Sequence, residues 1–456
     1  MKLKRLSLTT ENTQETVALL RRGASEDEAL RRRVGEIINN VRGQGDKALV
    51  DYTRKFDCED FNQGQLAVPA AEIKAAALSA PEPLMESLRL AAENVRLFHQ
   101  HEMRGSWTAS MRQNQMLGQR MIPVGRAGLY VPGGAASYPS TVIMTAVPAQ
   151  VAGVEEIFIC SPPGRDGRVA GAVLAAVGML GISEIYAVGG AQAVAAMAYG
   201  TASIKPADFI CGPGNAFVAE AKRQVFGSAG IDSLAGPSEV LIIADKVAKP
   251  DLIAADLLAQ AEHGSGAMAL LVCWSSELAD SVESLVWALA AELSVQPELL
   301  GRVAIILIDE EQAPAPPAVS VAAEDNSRGP LDTAVYFSNL FAPEHLQIHT
   351  SQPEQVLNEI TCAGAVFLGE DVCAAYGDYV IGSNHVLPTA GAARFASALS
   401  VENFLRKVAV ISLTPETISQ LTPALVEIAR AEGLVAHVRA AELRQKEFGV
   451  PEAGEE

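Results

Sequence analysis

Seven histidines are spread over 456 residues, and four of them sit among carboxylates and amides in segments that also carry Gly or Pro. In LLAQAEHGSG, Gln260 and His263 lie at the end of a predicted helix running from Pro250 to His263, with Gly264 at its stop position. Residues three apart project from one face of the last turn, where an amide oxygen and an imidazole nitrogen can both ligate a metal. In FAPEHLQI, Pro343 fixes the backbone ahead of Glu344 and His345, two groups able to move protons near neutral pH. Neighbours on an extended segment point opposite ways, which predicts one catalytic and one structural side chain. In AAYGDYVIGSNHVLPT, two glycines, Asn384 and Pro388 mark a loop carrying Asp378 and His385, a pair suited to a cation such as zinc. In ARAEGLVAHVRAAELR, Glu432 and His437 are five apart on a predicted helix, on different flanks, so they line a site from one edge. His99, His101 and His349 give no such signal, and LFHQHE places the first two on a polar helix surface. Taken singly, each of the four segments also fits a plain structural role, such as an imidazole satisfying the last carbonyls of a helix.

Three glycine-rich turns form a second group. YVPGGAASYPS follows an apolar strand, while AVGGAQAVAA and ICGPGNAFVAEAKR each end a strand and open a helix. Glycine lets backbone N–H groups approach an anion at a helix N-terminus, as a dinucleotide pyrophosphate requires. The chain has no G-x-G-x-x-G, so the usual nicotinamide fingerprint is absent, and spacing alone equally fits ordinary strand-to-helix turns.

The elements that position these residues follow from hydrophobic periodicity. The first hundred residues have helical spacing, most clearly in Asp27–Phe56 and Ala70–His101. Short β-branched runs then alternate with Ala-rich helical stretches: IFIC from Ile157, EIYAV from Glu184, DFIC from Asp208, EVLII from Glu239, ALLVC from Ala269 and AIILI from Ala304. Continuous apolar strands alternating with helices require parallel sheets covered on both faces, and the spacing supports two α/β units. From Val401 helical periodicity returns, and the terminal PEAGEE is expected to fray. Glu310–Pro330, rich in Pro and small polar residues, is expected to be a surface loop.

Composition sets outer limits. Hydrophobic residues make up 49% and charged ones 20%, an ordinary globular balance. The net charge of −19 argues against a nucleic-acid or anionic-membrane partner, which would need clustered Lys and Arg. No apolar stretch reaches the ~20 residues that span a bilayer, and no signal peptide is visible, so a cytoplasmic protein is expected. The six cysteines, Cys58, Cys160, Cys211, Cys273, Cys362 and Cys373, form no C-x-x-C pair, which excludes a thiolate zinc site or redox motif of that spacing.

Together GLYVPGG, VGGAQAVAA, GPGN with AKRQVFG, GIDSLAGPSEVLIIAD, DLLAQAEHG, APEHL, GDYVIGSNHVLPT and AEGLVAH resemble the histidinol dehydrogenase family, from about Arg33 to about Arg444. The resemblance implies a pair of incomplete Rossmann-like parallel-sheet domains with small helical terminal domains, assembled as an intertwined homodimer. Its implied organisation is a helical segment 1–32, a first α/β domain 33–129 plus 238–385 carrying most of the zinc site, an NAD-contacting domain 130–237, and a helical dimerisation segment 386–456. One Zn²⁺ per subunit is implied on Gln260, His263, Asp378 and His437, with NAD contacts at Tyr130, Gln192 and Asn215. Substrate contacts are implied at Ser238, His345 and Glu432 as well as at the four metal ligands, with Glu432 and His437 entering the partner subunit's site and His385 in the pocket. The implied reaction oxidises L-histidinol through its aldehyde to L-histidine with NAD, His345 acting as base for the hydroxyl and Glu344 as base for water.

The chain departs from the family pattern at Glu310–Pro330, an apparent insertion of ~15–20 residues by the loop lengths usual in compact domains. One rival is a paralogous zinc and NAD enzyme acting on another small polar alcohol such as a sulfonated diol. A sulfonate needs an extra cation, and the matching motifs offer none beyond Arg394. A second is a non-catalytic metal-binding relative, against which the intact Glu344–His345 pair argues.

Overall fold

The computed structural model describes residues 3–21, 28–111, 115–133, 137–234, 236–264, 266–308 and 329–450. The Pro-rich stretch from Glu310 lies outside these residues up to its last two positions, as does PEAGEE.

Two parallel sheets carry the first of two compact units, residues 1–102 with 125–404. The five-stranded sheet holds β4 (Arg126–Tyr130), β5 (Glu156–Ser161), β6 (Ile185–Ala187), β7 (Phe209–Cys211) and β8 (Gly230–Ile231) in the order β6-β5-β4-β7-β8. The six-stranded sheet holds β1 (Lys4–Leu8), β9 (Glu239–Ala244), β10 (Met268–Cys273), β11 (Val303–Ile308), β12 (His345–His349) and β13 (Ala365–Leu368) in the order β1-β11-β10-β9-β12-β13. Apart from β1, each sheet runs third, second, first, fourth, fifth in order of appearance, the Rossmann arrangement lacking its sixth strand. EVLIIA and MALLVC are buried at every position, as strands covered by helices on both faces must be.

The amino-terminal region differs from its helical reading. KRLSL is a strand that pairs in parallel with β11 and extends the larger sheet. The run read as one helix from Asp27 breaks at Gly45 (φ 57), giving Glu28–Gln44 and Asp46–Phe56, and Pro81 separates Ala70–Ser79 from Glu82–Gln100. Val34, Ile37, Ile38, Val41 and Leu49 join one core with Tyr130, Phe158 and Ile210, so this part of 33–129 packs on the five-stranded sheet and not on the sheet of 238–385. Leu3, Leu8 and Leu20 instead join the cores of the larger sheet.

The second unit, residues 103–124 with 405–456, opens with an antiparallel sheet of β2 (Trp107–Ser110), β3 (Met116–Pro123) and β14 (Leu405–Ser412). β14 corrects the all-helical reading of the tail: its side chains are mostly exposed on both faces, so no inward-outward alternation marks it. A helical hairpin follows, Pro415–Ala431 and Val435–Phe448, whose buried apolar cluster is Val426, Ala429, Val438 and Ala441.

Candidate active site

In the first unit, the carboxyl edge of the five-stranded sheet and the amino edge of the six-stranded sheet share a cavity of about 820 Å³. Tyr130, Asn215, Ser238, His263, Glu344, His345, Asp378 and His385 all line it.

On the five-stranded side, Tyr130 ends β4, is buried, and accepts a 3.0 Å hydrogen bond on its hydroxyl from the Gly190 N–H. Burial pushes its phenol up to about 12, so it stays neutral. Gln192 lies in the first turn of the helix Gly190–Tyr199 and is buried. After β7 the chain must turn at Gly212 (φ +121), where a Cβ would collide with the Tyr130 carbonyl, and only glycine fits. Asn215 then caps the helix Ala216–Val225, its Oδ1 accepting from the N–H groups of Phe217 at 3.0 Å and Val218 at 3.2 Å.

On the six-stranded side, Ala342 adopts φ 49 to turn the chain from the helix Pro330–Phe341 towards β12; Glu344 immediately precedes that strand and His345 opens it. Their side chains do not point apart as alternation predicts; His345 Nδ1 lies 3.6 Å from Glu344 Oε2. Both reach β9. Ser238 Oγ donates to Glu344 Oε2 at 2.6 Å, and the Glu239 N–H donates to the same oxygen at 2.7 Å. His345 Nδ1 donates to the Glu239 carbonyl at 3.1 Å, which leaves Nε2, 3.5 Å from Asp378 Oδ1, as the reactive nitrogen. Burial raises Glu344 to about 7 against the opposing pull of His345 and its two donors. Burial disfavours the charged imidazole of His345, but Glu344, Asp378 and the Glu239 carbonyl outweigh it and raise His345 to about 9.

Asp378 lies on a short helix, Ala374–Tyr379, and not on the predicted loop. Burial would raise its carboxyl, but His345, His385 and His263 hold it low and ionised. His385 Nδ1 donates to the Asp378 carbonyl at 2.9 Å, and Nε2 lies 3.4 Å from Thr141 Oγ1. Gln260 lies in the last turn of the helix Pro250–Ala261; it is buried, and its Nε2 has no hydrogen-bond partner among the described residues. Gln260 can offer an amide oxygen, His263 an imidazole nitrogen and ionised Asp378 a carboxylate oxygen, a donor chemistry that fits a borderline cation. Among the described residues, no three His, Cys, Asp or Glu side chains are grouped closely enough to hold a metal by themselves.

Glu432 and His437 belong to the second unit. They do not share one helix: Glu432 caps the first helix of the hairpin, Gly433 (φ 74) breaks it, and His437 begins the second. Both line one groove of about 560 Å³ with Leu425, Ile428 and Leu434.

His99 is fully buried, contrary to the surface placement read from LFHQHE. Its Nδ1 lies 2.6 Å from Glu102 Oε2 and its Nε2 lies 3.3 Å from Asn384 Nδ2, so it anchors the segment between Asp378 and His385. Glu239 is the residue the sequence reading missed. Its position in GPSE, next to Ser238 at a strand start, is the signal that was available.

Two sheets of Rossmann strand order around a cavity with paired proton acceptors define a dinucleotide-linked oxidoreductase. The family profile described as histidinol dehydrogenase matches residues 20–445. The histidinol dehydrogenase of Synechococcus sp. is 46% identical over 413 residues, covering 91% of this chain and 92% of its own. That of Geobacillus kaustophilus is 45% identical over 428 residues, covering 94% and 97%. The crystal structure of histidinol dehydrogenase from Elizabethkingia anophelis superimposes with a TM-score of 0.85 at 33% identity, covering 97% of this chain and 98% of that one. The chain belongs to the histidinol dehydrogenase family of NAD-dependent oxidoreductases.

Proposed function

We propose that the protein oxidises L-histidinol through L-histidinaldehyde to L-histidine with two NAD, the closing steps of histidine biosynthesis. The observation that carries the reading is the pairing of Glu344 and His345 on the backbone of one residue, Glu239, in a cavity that also holds Tyr130 and Asn215. In the first half-reaction His345 Nε2 takes the hydroxyl proton as hydride leaves the carbinol carbon for NAD. In the second, Glu344 takes a proton from water as its oxygen adds to the aldehyde carbonyl, and the hydrate gives its hydride to a second NAD. Tyr130, Gln192 and Asn215 hold the cofactor, and Ser238 contacts the substrate.

Gln260, His263 and Asp378 of one subunit, with His437 of the partner subunit, would hold a Zn²⁺ ion. When bound, the ion supplies a Lewis-acid anchor that orients the substrate's amino and imidazole nitrogens. Glu432 reaches the same substrate from the partner. This shared-site homodimer is supported by the hairpin of the second unit, which leaves Ile428 62% and Val435 77% exposed around the groove lined by Glu432 and His437. No helix among the described residues is long and apolar enough to cross a membrane, in keeping with a cytoplasmic enzyme.

Turnover with L-histidinol and NAD, before and after chelation, tests this. Two NADH per histidinol are expected, with loss of activity on chelation and recovery with zinc. Faster turnover of dihydroxypropanesulfonate than of histidinol would reject the substrate assignment.

A further inference from the structure

Glu239 holds both proposed bases through its backbone, yet its own carboxylate is buried and must be held in turn. The holder comes from far away in sequence. Arg21, the last residue of the helix Thr13–Arg21, donates from Nη1 to Glu239 Oε1 at 2.7 Å and from Nη2 to Oε2 at 3.4 Å. Its Nη2 also donates to the Phe341 carbonyl, and its guanidinium carbon lies 4.2 Å from the centroid of the Phe341 ring. Phe341 ends the helix that the Ala342 turn joins to Glu344 and His345. One planar fork therefore joins the strand start that grips the bases to the segment that bears them. Space for it is left at Gly391 (φ +79), where a Cβ would come within 3.3 Å of Arg21 Nε.

We propose that Arg21 is a positioning residue for both half-reactions: by gripping Glu239 and Phe341 together, it sets the spacing between Glu239 and the Glu344–His345 pair. The inference rests on the base roles proposed above. Only a guanidinium meets a carboxylate, a carbonyl and a ring face at once; lysine keeps the charge and loses the fork.

The test compares Arg21→Lys and Arg21→Ala with His345→Asn as the control. A displacement of about 1 Å costs about 10²-fold in rate, so kcat is expected to fall roughly 10- to 100-fold in both Arg21 variants, for alcohol and aldehyde alike. Zinc content and the KM for NAD stay at parental values, because Arg21 touches neither site. Added guanidinium chloride at low millimolar concentration restores part of the kcat of Arg21→Ala, and sodium chloride at equal ionic strength does not. Parental kcat in Arg21→Lys, or a loss in Arg21→Ala that follows the unfolded fraction and ignores guanidinium, overturns the proposal. If His345→Asn turns over normally, the base assignment fails and the proposal falls with it. If His345→Asn is inactive while the Arg21 variants are normal, only the proposal fails.

Discussion

Lys222 and Asp232 form an ion pair buried at both ends, with side chains 1% and 3% exposed, beneath the turn that carries Asn215. The pair holds both backbone groups of Gly212: Lys222 Nζ donates to its carbonyl at 3.1 Å, and its N–H donates to Asp232 Oδ2 at 2.8 Å. Lys222→Met leaves a buried carboxylate without its partner, at a cost of about 3–5 kcal/mol, and frees the Gly212 carbonyl. The variant is expected to melt well below the parent and to need more NAD for half-saturation. Adding Asp232→Leu recovers much of the melting temperature, because an apolar pair replaces the charges. The KM for NAD stays high in the double variant because Gly212 is still unheld. Calorimetry and initial rates over an NAD series check both parts; a parental KM in the double variant would show that the pair does not set the turn.

The division of labour proposed for Glu344 and His345 predicts opposite selectivities. Glu344→Gln keeps shape and removes the proton acceptor aimed at water, so it slows oxidation of supplied histidinaldehyde by about 10²–10⁴-fold and the first hydride transfer far less. His345→Asn does the reverse. Single-turnover bursts of NADH with each substrate resolve the two, and equal losses in both half-reactions would mean that the pair acts as one unit.

The same geometry fixes the sign of a pH effect. His345 must be neutral to accept a proton, so the alcohol step speeds up as pH rises through its titration. Burial lowers that titration, and the carboxylates of Glu344 and Asp378 outweigh it and raise it to about 9. A cation on Asp378 would move it down, so with the proposed zinc bound the rising limb is expected below that value. Glu344→Gln removes a charge that raises His345, and the limb of the alcohol step is expected at lower pH than in the parent. A limb that moves upward contradicts the contact between the two residues.

If His437 of the partner subunit completes each site, two dead chains complement each other. His263→Ala and His437→Ala homodimers are each expected to be inactive, and refolding them together regenerates one intact site per heterodimer. Activity then approaches about a quarter of parental at random pairing of equal amounts, since half the dimers carry one of two sites. Heterodimers that form and remain inactive place the whole site within one chain.

At the other end of β12, His349 Nε2 lies 3.9 Å from Asp256 Oδ2, with the imidazole fully buried and the carboxylate half-buried. Burial lowers His349 to about 4 and raises Asp256 to about 7. Between these limits the native pair binds one proton in total, as the unfolded chain does between the ordinary carboxylate and imidazole ranges, so the two contributions cancel. Asp256→Asn leaves a histidine of depressed titration: the unfolded state binds more protons, and stability rises with pH from about 4 to 6.5 relative to the parent. His349→Asn leaves an aspartate of raised titration, and stability falls as pH rises toward 7. Melting temperatures at two pH values within this window distinguish the variants. Parallel shifts in both would show that the groups titrate normally.

The sequence made the sheets legible where burial is complete on both faces. EVLII, ALLVC and AIILI could only be interior parallel strands, and each is one. It was misleading where tertiary pairing overrode local pattern. LRKVAVIS is exposed along nearly its whole length, and KRLSL alternates only over Leu6–Leu8, too short a run to mark a strand by itself; each is a strand through its pairing with β3 and β11 respectively. The chemistry-bearing types were visible in four short segments, but not their mutual distances. That Glu344 and His345 converge on Glu239 depends on the register of β12 against β9, which pairs residues about a hundred positions apart. Arg21 carried no local signal at all, because its partners are the first residue of one strand and the last residue of a helix far down the chain.

β12 lies inside its sheet, paired on one side with β9 and on the other with β13; of the proposed bases, His345 stands on its first rung and Glu344 just before it. Moving them relative to Ser238 would mean shearing a ladder whose amides are the last to open, so the bases are the stationary part of the machine. The proposed reaction, which discharges one reduced cofactor and admits a second, must then do its moving elsewhere. If Tyr130 and Asn215 hold the cofactor as proposed, the traffic falls to the opposite bank of the cavity, where Tyr130 ends a strand and Asn215 caps a helix after a glycine turn. Slow steps in the cycle should accordingly respond to changes in those turns and to viscosity, while the intrinsic hydride-transfer rate remains indifferent to them.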